Sequence, residues 1–270
     1  MNPRQSFHRG AAPPADKPGQ GKAMSIDPMA RLIGDVRLGE GAQVGACAVL
    51  QGPLWVGEDL RAHAGALIGG PAQHREGGGD GSLRLGDRVE IREAATLHRG
   101  TASDKGVTYV GNDVLVMAYA HVGHDCSLGD EVTLCNGAQV GGHVDIGSMA
   151  MIGARAAIHQ FVRVGKGAMV AAGALVAGDV PPWTLVAGDR ARIIGPNTHA
   201  LRQRFGGDSL LLLRRAIRLL WPGPGRPPMQ PKQLHDTLGL GGWGSVEVID
   251  DLVRFLEEPS HRPCCPRGRR

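Results

Sequence analysis

Aromatic side chains are scarce: Phe, Trp and Tyr make up 4% of the 270 residues. A core built on large rings is thereby excluded, and smaller aliphatic groups must fill the interior. No apolar run approaches the ~18 residues that a spanning helix needs, so no membrane span is expected. The opening MNPRQSFHRGAAPPADKPGQGK holds charge, Pro and Gly but no apolar h-region, and does not read as a signal peptide. Cysteine is sparse and odd in number, at 47, 126, 135, 264 and 265, without CxxC spacing. That disfavours a disulfide frame and suits reduced thiols in a cytoplasm. What abounds is glycine, 42 residues or about 16%, against roughly 7% in average usage. Hydrophobic and charged fractions of 42% and 21% still describe a folded chain.

The formal net charge of +4 conceals an asymmetry. Residues 190–270 hold 14 Lys and Arg against 7 Asp and Glu, leaving 16 against 19 in the rest. Such a basic third can steer an acidic partner, whether nucleic acid, anionic lipid or an acidic protein, or simply form solvated helix faces.

A repeat of six residues dominates the middle of the chain. Val110, Val116, Val122, Leu128, Leu134, Val140, Ile146, Ile152, Ile158, Val164, Val170 and Val176 follow without a slip, many with Gly next. The same period runs through Ile26, Leu32, Leu38, Val44, Leu50, Val56, Ala62 and Ile68, and, shifted in phase, through Leu85, Ile91 and Leu97. Excursions at 70–84 and 101–109 separate the blocks. Neither a simple strand nor a helix has this period. A parallel β-helix does, with three short strands and three turns per coil of about 18 residues. One aliphatic side chain per hexad faces inward, and the adjacent glycine suits a tight corner. Roughly seven coils at about 4.8 Å give a prism on the order of 34 Å tall.

The hexads stop after Pro181-Pro182. The segment DSLLLLRRAIRLLW (208–221) has helical spacing with Asp208 as a plausible N-cap, and PGPGRPP (222–228) breaks it. One or two further helices are expected in 231–258. The domain reading is a disordered leader (1–24), a β-helix (25–193), a C-terminal helical domain (194–258) and a disordered basic tail (259–270).

Five of eleven histidines fall between 98 and 159: His98, His121, His124, His143 and His159. Residues 18 apart stack on neighbouring coils, so Gly142 and Gln160 lie above His124, and His143 and Phe161 above Asp125. His124 can serve as a general base, because an imidazole ordinarily titrates near physiological pH. Asp125 can fix its tautomer, and the Gly142 N–H can face a developing oxyanion. The nucleophilic hydroxyl can then belong to the substrate, and Cys126 reads as a small repeat residue. His63 and His235 read as structural. Two alternatives stand beside this reading: a zinc site on His121, His124 and His143, as in a hydrase of the γ-carbonic-anhydrase type, and a non-enzymatic prism.

The motifs IREAATLHRGT (91–101), AHVGHDCSLG (120–129), NGAQVGGHV (136–144), AIHQFVRVG (157–165) and GDVPPW (178–183) resemble the UDP-N-acetylglucosamine acyltransferase family. The likeness covers residues 25–205 well and the helical segment more loosely. It implies a mainly β fold, a left-handed parallel β-helix of hexapeptide repeats with a C-terminal α-helical domain, although ordinary parallel crossovers are right-handed. It implies a cytoplasmic homotrimer with clefts between neighbouring prisms. The reaction moves a 3-hydroxyacyl chain from acyl carrier protein to the 3-hydroxyl of UDP-N-acetylglucosamine. No metal or cofactor takes part, the chain being carried on the carrier protein's phosphopantetheine.

By the same resemblance His124, Asp125 and Gly142 are the catalytic set. His98, His121, His143, His159 and Gln160 line the substrate pocket, and Gln73, Asn197 and Arg204 contact the nucleotide sugar. Met169 and Ala172 border the acyl chain, with Ala172 where a chain-length glycine is common. The acidic carrier protein accounts for the basic C-terminal third, and nucleic acid is not expected as a partner. Departures are His74 and Glu76 where an acid and a lysine are usual, His199 in place of an acid, and Gln203 beside Arg204. They leave room for another UDP-amino-sugar, a 3-amino sugar included. An acetyl-CoA donor is a further alternative. A related N-acyltransferase carries a uridine-binding domain ahead of its prism, for which the 24-residue leader leaves no room.

Overall fold

The computed structural model describes residues 22–75, 79, 81–222, 226–241 and 246–268. Of the leader expected to be disordered (1–24), residues 1–21 lie outside the described residues, as does the departure at Glu76, whereas Lys22 is fastened to the first coils, its carbonyl accepting the Gly41 N–H at 3.1 Å. Strands of two to five residues pair from coil to coil and build sheets of ten, eight and seven strands. Gln139 pairs in parallel with His121 on one side and Ala157 on the other, the 18-residue step of a regular coil. The result is a left-handed prism of hexapeptide coils.

All twelve aliphatic residues from Val110 to Val176 are buried, none more than 3% exposed. A second inward column, unforeseen in the sequence, holds small residues such as Ala120, Cys126, Ala138, Val144 and Ala156. Side chains of that size fit the corners of a narrow prism at interior density. Ile26 and Leu32 are partly exposed despite their phase, because they sit on the first coil, with a neighbour on one side only.

The glycine after the aliphatic residue is required by the next coil. At Gly123 a Cβ would stand 2.7 Å from the Gly142 nitrogen. Left-handed backbone occurs instead at Asp125, His143 and Phe161, with φ of 57°, 61° and 65°. These three stack at one corner, one on each of three successive coils. The two excursions leave the ladder intact, since Thr96 still pairs with Leu67 below and His121 above.

The strand Arg192–Pro196 folds back antiparallel on Thr184–Ala187 and closes the large sheet. Helices α1 (Thr198–Phe205), α2 (Gly207–Leu220), α3 (Leu234–Leu238) and α4 (Glu247–Glu257) follow. Trp183 anchors them. It is fully buried, packs edge-on against Phe205 at 5.0 Å, and donates its indole N–H to Asp251 Oδ2 at 2.8 Å. Two expectations need correction. Asp208 lies inside the first turn of α2, and Gly206, at φ 80°, holds the N-cap position. Residues 259–268 are also no free tail: Cys264 and Arg267 bridge to Asp179 and Ile193, and Cys265 is 2% exposed. Their backbone polar groups find partners on the prism, which a disordered tail would leave to water. Among the described residues no helix is long and apolar enough to cross a membrane.

Candidate active site

The strand His121–Val122 runs into a corner made by Gly123, His124 and Asp125, and Ser127–Leu128 leaves it. His124 Nδ1 lies 2.9 Å from Asp125 Oδ2. Asp125 is wholly buried. Its oxygens accept the Thr101 N–H at 3.0 and 3.1 Å and the Thr101 hydroxyl at 2.8 Å, while its own N–H donates to Thr108 Oγ1 at 2.8 Å. Burial pushes this carboxyl up, but the bonds from His124 and Thr101 outweigh it and hold it below the usual carboxylate range. An ionised carboxylate only accepts, so His124 carries its proton on Nδ1 and presents the Nε2 lone pair.

Gly142 sits against that lone pair. A Cβ there would lie 2.9 Å from His124 Nε2 and 3.0 Å from Cε1, so only glycine leaves the imidazole its place. His143 meets His124 edge to face at 4.9 Å and lies flat on Phe161 at 4.5 Å. Its Nδ1 is 2.9 Å from Asp104 Oδ2, yet burial, ahead of the opposing carboxylates Asp125 and Asp104, pulls its pKa down. From the first excursion His74 places its ring edge-on to His124 at 5.8 Å, beside the exposed Gln73.

Below, His98 Nδ1 bonds the Pro71 carbonyl at 2.7 Å, and His121 Nδ1 bonds Thr96 Oγ1 at 2.9 Å. Burial, then the charges of His98 and His124, push His121 down to about 4. The three-imidazole zinc set does not assemble. Among the described residues, the metal-capable cluster here is His124, Asp125 and His143, and it excludes His121. Its central carboxylate is already taken up by Thr101 and His124. Cys126 faces the core, where burial pushes its thiol up to about 12, so it is no nucleophile at neutral pH. His63 and His235 pair with Glu90 and Asp250, away from this corner.

One coil above Gly142, and two above His124, His159 and Gln160 are exposed on the same corner. The remaining expected residues occupy another face. Met169, Asn197 and Arg204 line a groove of about 460 Å³ with Met151, His199 and Gln203 on the ten-stranded sheet. Asn197 spends both ends of its amide locally, accepting from Ala200 N and donating to the Gly167 carbonyl. Ala172 is exposed and does not border that groove. Sequence reasoning passed over Thr108, Asp104 and Arg262. The second excursion was the available signal for the first two.

A prism of hexapeptide coils carrying a His–Asp pair at one corner defines a hexapeptide-repeat transferase. The family model described as bacterial transferase hexapeptide (six repeats) matches residues 108–142, and that for UDP-N-acetylglucosamine O-acyltransferase, domain 2, matches 179–265. A Caulobacter vibrioides protein named acyl-[acyl-carrier-protein]--UDP-N-acetylglucosamine O-acyltransferase is 45% identical over 233 residues, 86% of this chain and 87% of its own. A Burkholderia lata protein of the same name is 37% identical over 204 residues, covering 75% and 78%. The crystal structure of Francisella novicida UDP-N-acetylglucosamine acyltransferase superposes with a TM-score of 0.79 at 28% identity, over 91% of this chain and 93% of that one. The chain belongs to the UDP-N-acetylglucosamine O-acyltransferase family.

Two predictions follow from this geometry. Gly142→Ala keeps the N–H but drives a methyl into His124, so activity should fall about 10²-fold, with the melting temperature little changed. Unaltered activity would show that His124 needs no such close approach. Second, His121 is held down at about 4 in the fold but titrates at the ordinary imidazole value of about 6.5 when unfolded. The unfolded state then binds more protons between those values, and stability must fall as pH drops from 6.5 toward 4. The urea midpoint of His121→Gln should decline less over that range than the wild type's, and an equal decline would count against it.

Proposed function

We propose that this chain moves a 3-hydroxyacyl group from acyl carrier protein to the 3-hydroxyl of UDP-N-acetylglucosamine. The observation that carries the reading is the His124–Asp125 pair, with Gly142 packed against the catalytic nitrogen. His124 Nε2 takes the proton of the sugar hydroxyl as its oxygen attacks the thioester carbonyl. The carbonyl oxygen becomes an oxyanion, stabilised by the Gly142 N–H. Collapse breaks the carbon–sulfur bond, and the phosphopantetheine thiolate recovers the proton from His124. Asp125 stabilises the imidazolium between these steps. Base and oxyanion donor both come from the chain, so the reading needs no metal or cofactor. Curated relatives with this acceptor and donor in their names support it.

Its test is mass-spectrometric detection of acyl transfer by metal-stripped protein. The assay offers 3-hydroxyacyl carrier proteins of several lengths with UDP-N-acetylglucosamine or its 3-amino analogue. We expect an O-acylated sugar nucleotide and a loss of about 10²–10⁴ in rate for His124→Ala. Near wild-type turnover by that variant would sink the assignment. Exclusive use of the amino analogue would instead favour the second acceptor, which the imidazole of His74 at 5.8 Å from His124 makes worth including.

The reading extends to a cytoplasmic homotrimer with shared clefts. Support comes from the division of the expected substrate-contacting residues between the His124 corner and the groove of Met169 and Arg204. A cleft made by two copies joins what one copy keeps apart. If so, co-refolding inactive His124→Ala with inactive Arg204→Ala should restore part of the activity, because mixed trimers contain intact clefts. No recovery from mixed oligomers would refute sharing.

A further inference from the structure

The segment after α4 is a strap fastened to the last coils. Asp179, itself fully buried, donates its N–H to the Pro263 carbonyl at 2.9 Å and accepts the Cys265 N–H at 2.8 Å. Its carboxylate accepts the Ser260 hydroxyl at 2.6 Å, along with the N–H and the Nε of Arg163 at 2.9 and 2.8 Å. Between these anchors the strap presents Arg262. The guanidinium donates from Nη2 to His159 Nδ1 at 2.7 Å and from Nε to the Gln160 carbonyl at 3.2 Å. The neighbouring His261 packs on Phe161 at 5.4 Å, the far side of the ring stack that ends at His143 and His124.

An arginine stays charged and only donates, so the nitrogen facing it must be an acceptor. The Gln160 carbonyl also lies 3.2 Å from His159 Nδ1, but the Arg262 donor at 2.7 Å is nearer, so Nδ1 carries a lone pair and in the neutral ring the proton resides on Nε2, a donor on the exposed corner. The charge-assisted bonds of Arg262 go to these two neighbouring residues.

We propose that Arg262 is a positioning residue for this site: from the C-terminal strap it holds His159 as an Nε2–H donor and pins the Gln160 backbone above Gly142, so that the strap completes the substrate pocket. The inference rests on the proposed transfer reaction only for its kinetic readout.

The test uses the full-length protein with ¹⁵N-labelled histidine, the His159 signals being assigned by their loss in His159→Ala. Arg262→Met removes the donors while keeping the stem. The His159 Nδ1 resonance should move to that of an acceptor with no donor. Substrate KM should rise about tenfold, with kcat within about threefold because His124 and Gly142 are untouched. Arg262→Lys, which reaches one acceptor at a time, should recover part of the loss. In the His159→Ala background Arg262→Met should add less than about threefold, as expected of residues that act through each other. An unmoved Nδ1 resonance in Arg262→Met overturns the proposal, as does a loss confined to kcat or fully additive with His159→Ala. If the wild type transfers no acyl group, the reading of function falls, while the resonance still decides the role of Arg262.

Discussion

Everything at the candidate site depends on the parallel ladder between coils. Each strand of two or three residues is too short to persist alone, and only the strands above and below satisfy its backbone polar groups. The ladder fixes the register. His121, Gln139 and Ala157 must stand in one column, and so must the corners that follow them. Register in turn decides the chemistry. Gly142 can lie against His124, and Phe161 against His143, because each is one coil further on at the same corner. Insertions therefore enter only as excursions that leave and rejoin the ladder, and both excursions bring groups to the candidate corner: His74 from the first, Thr101 and Asp104 from the second.

The second constraint is electrostatic. A wholly buried carboxylate is costly unless its acceptor sites are filled. For Asp125, Thr101 supplies a backbone and a hydroxyl donor, and His124 supplies the third. These bonds set its charge, and its charge sets the tautomer of His124. Removing any donor would leave a buried acceptor short, so the geometry that suits proton transfer is also the one that keeps the corner folded. Pre-organisation here is a by-product of polar satisfaction.

The six-residue period made the prism legible, since a strict period leaves one way to bury Val110 through Val176. Adding 18 places Gly142 over His124 and His143 over Asp125, and a second 18 places Phe161 over His143. Long-range docking was not legible. SHRPCCPRGRR has the Pro, Gly and charge of a loose tail, yet Ser260, Pro263 and Cys265 are held by Asp179, a residue far away in the chain that accepts from them and donates to them. Asp208 resembles a cap in sequence, but the turn after α1 needs the positive φ of Gly206 at that place. The exposure of Ile26 and Leu32 follows from being at the end of a stack, which periodicity alone does not mark. The division of Arg204 and His124 between two faces was equally hidden, because the repeat does not say which sheet the C-terminal helices cover.

Among the described residues, the departures that the resemblance marks fall outside the ladder. His74 lies in an excursion, His199 and Gln203 on α1, and Ala172 in an exposed turn of the prism. A change at any of these leaves every strand of the ladder in place. A change at Gly142 or Asp125 would collide with His124 or strip a buried carboxylate of its bonds. The physical cost of variation is thus uneven. The corner proposed to perform the proton transfer is held by packing, whereas the surfaces proposed to choose sugar and chain length are free to vary. A chain of this family can keep its reaction and still change its acceptor, because different parts of the structure constrain the two.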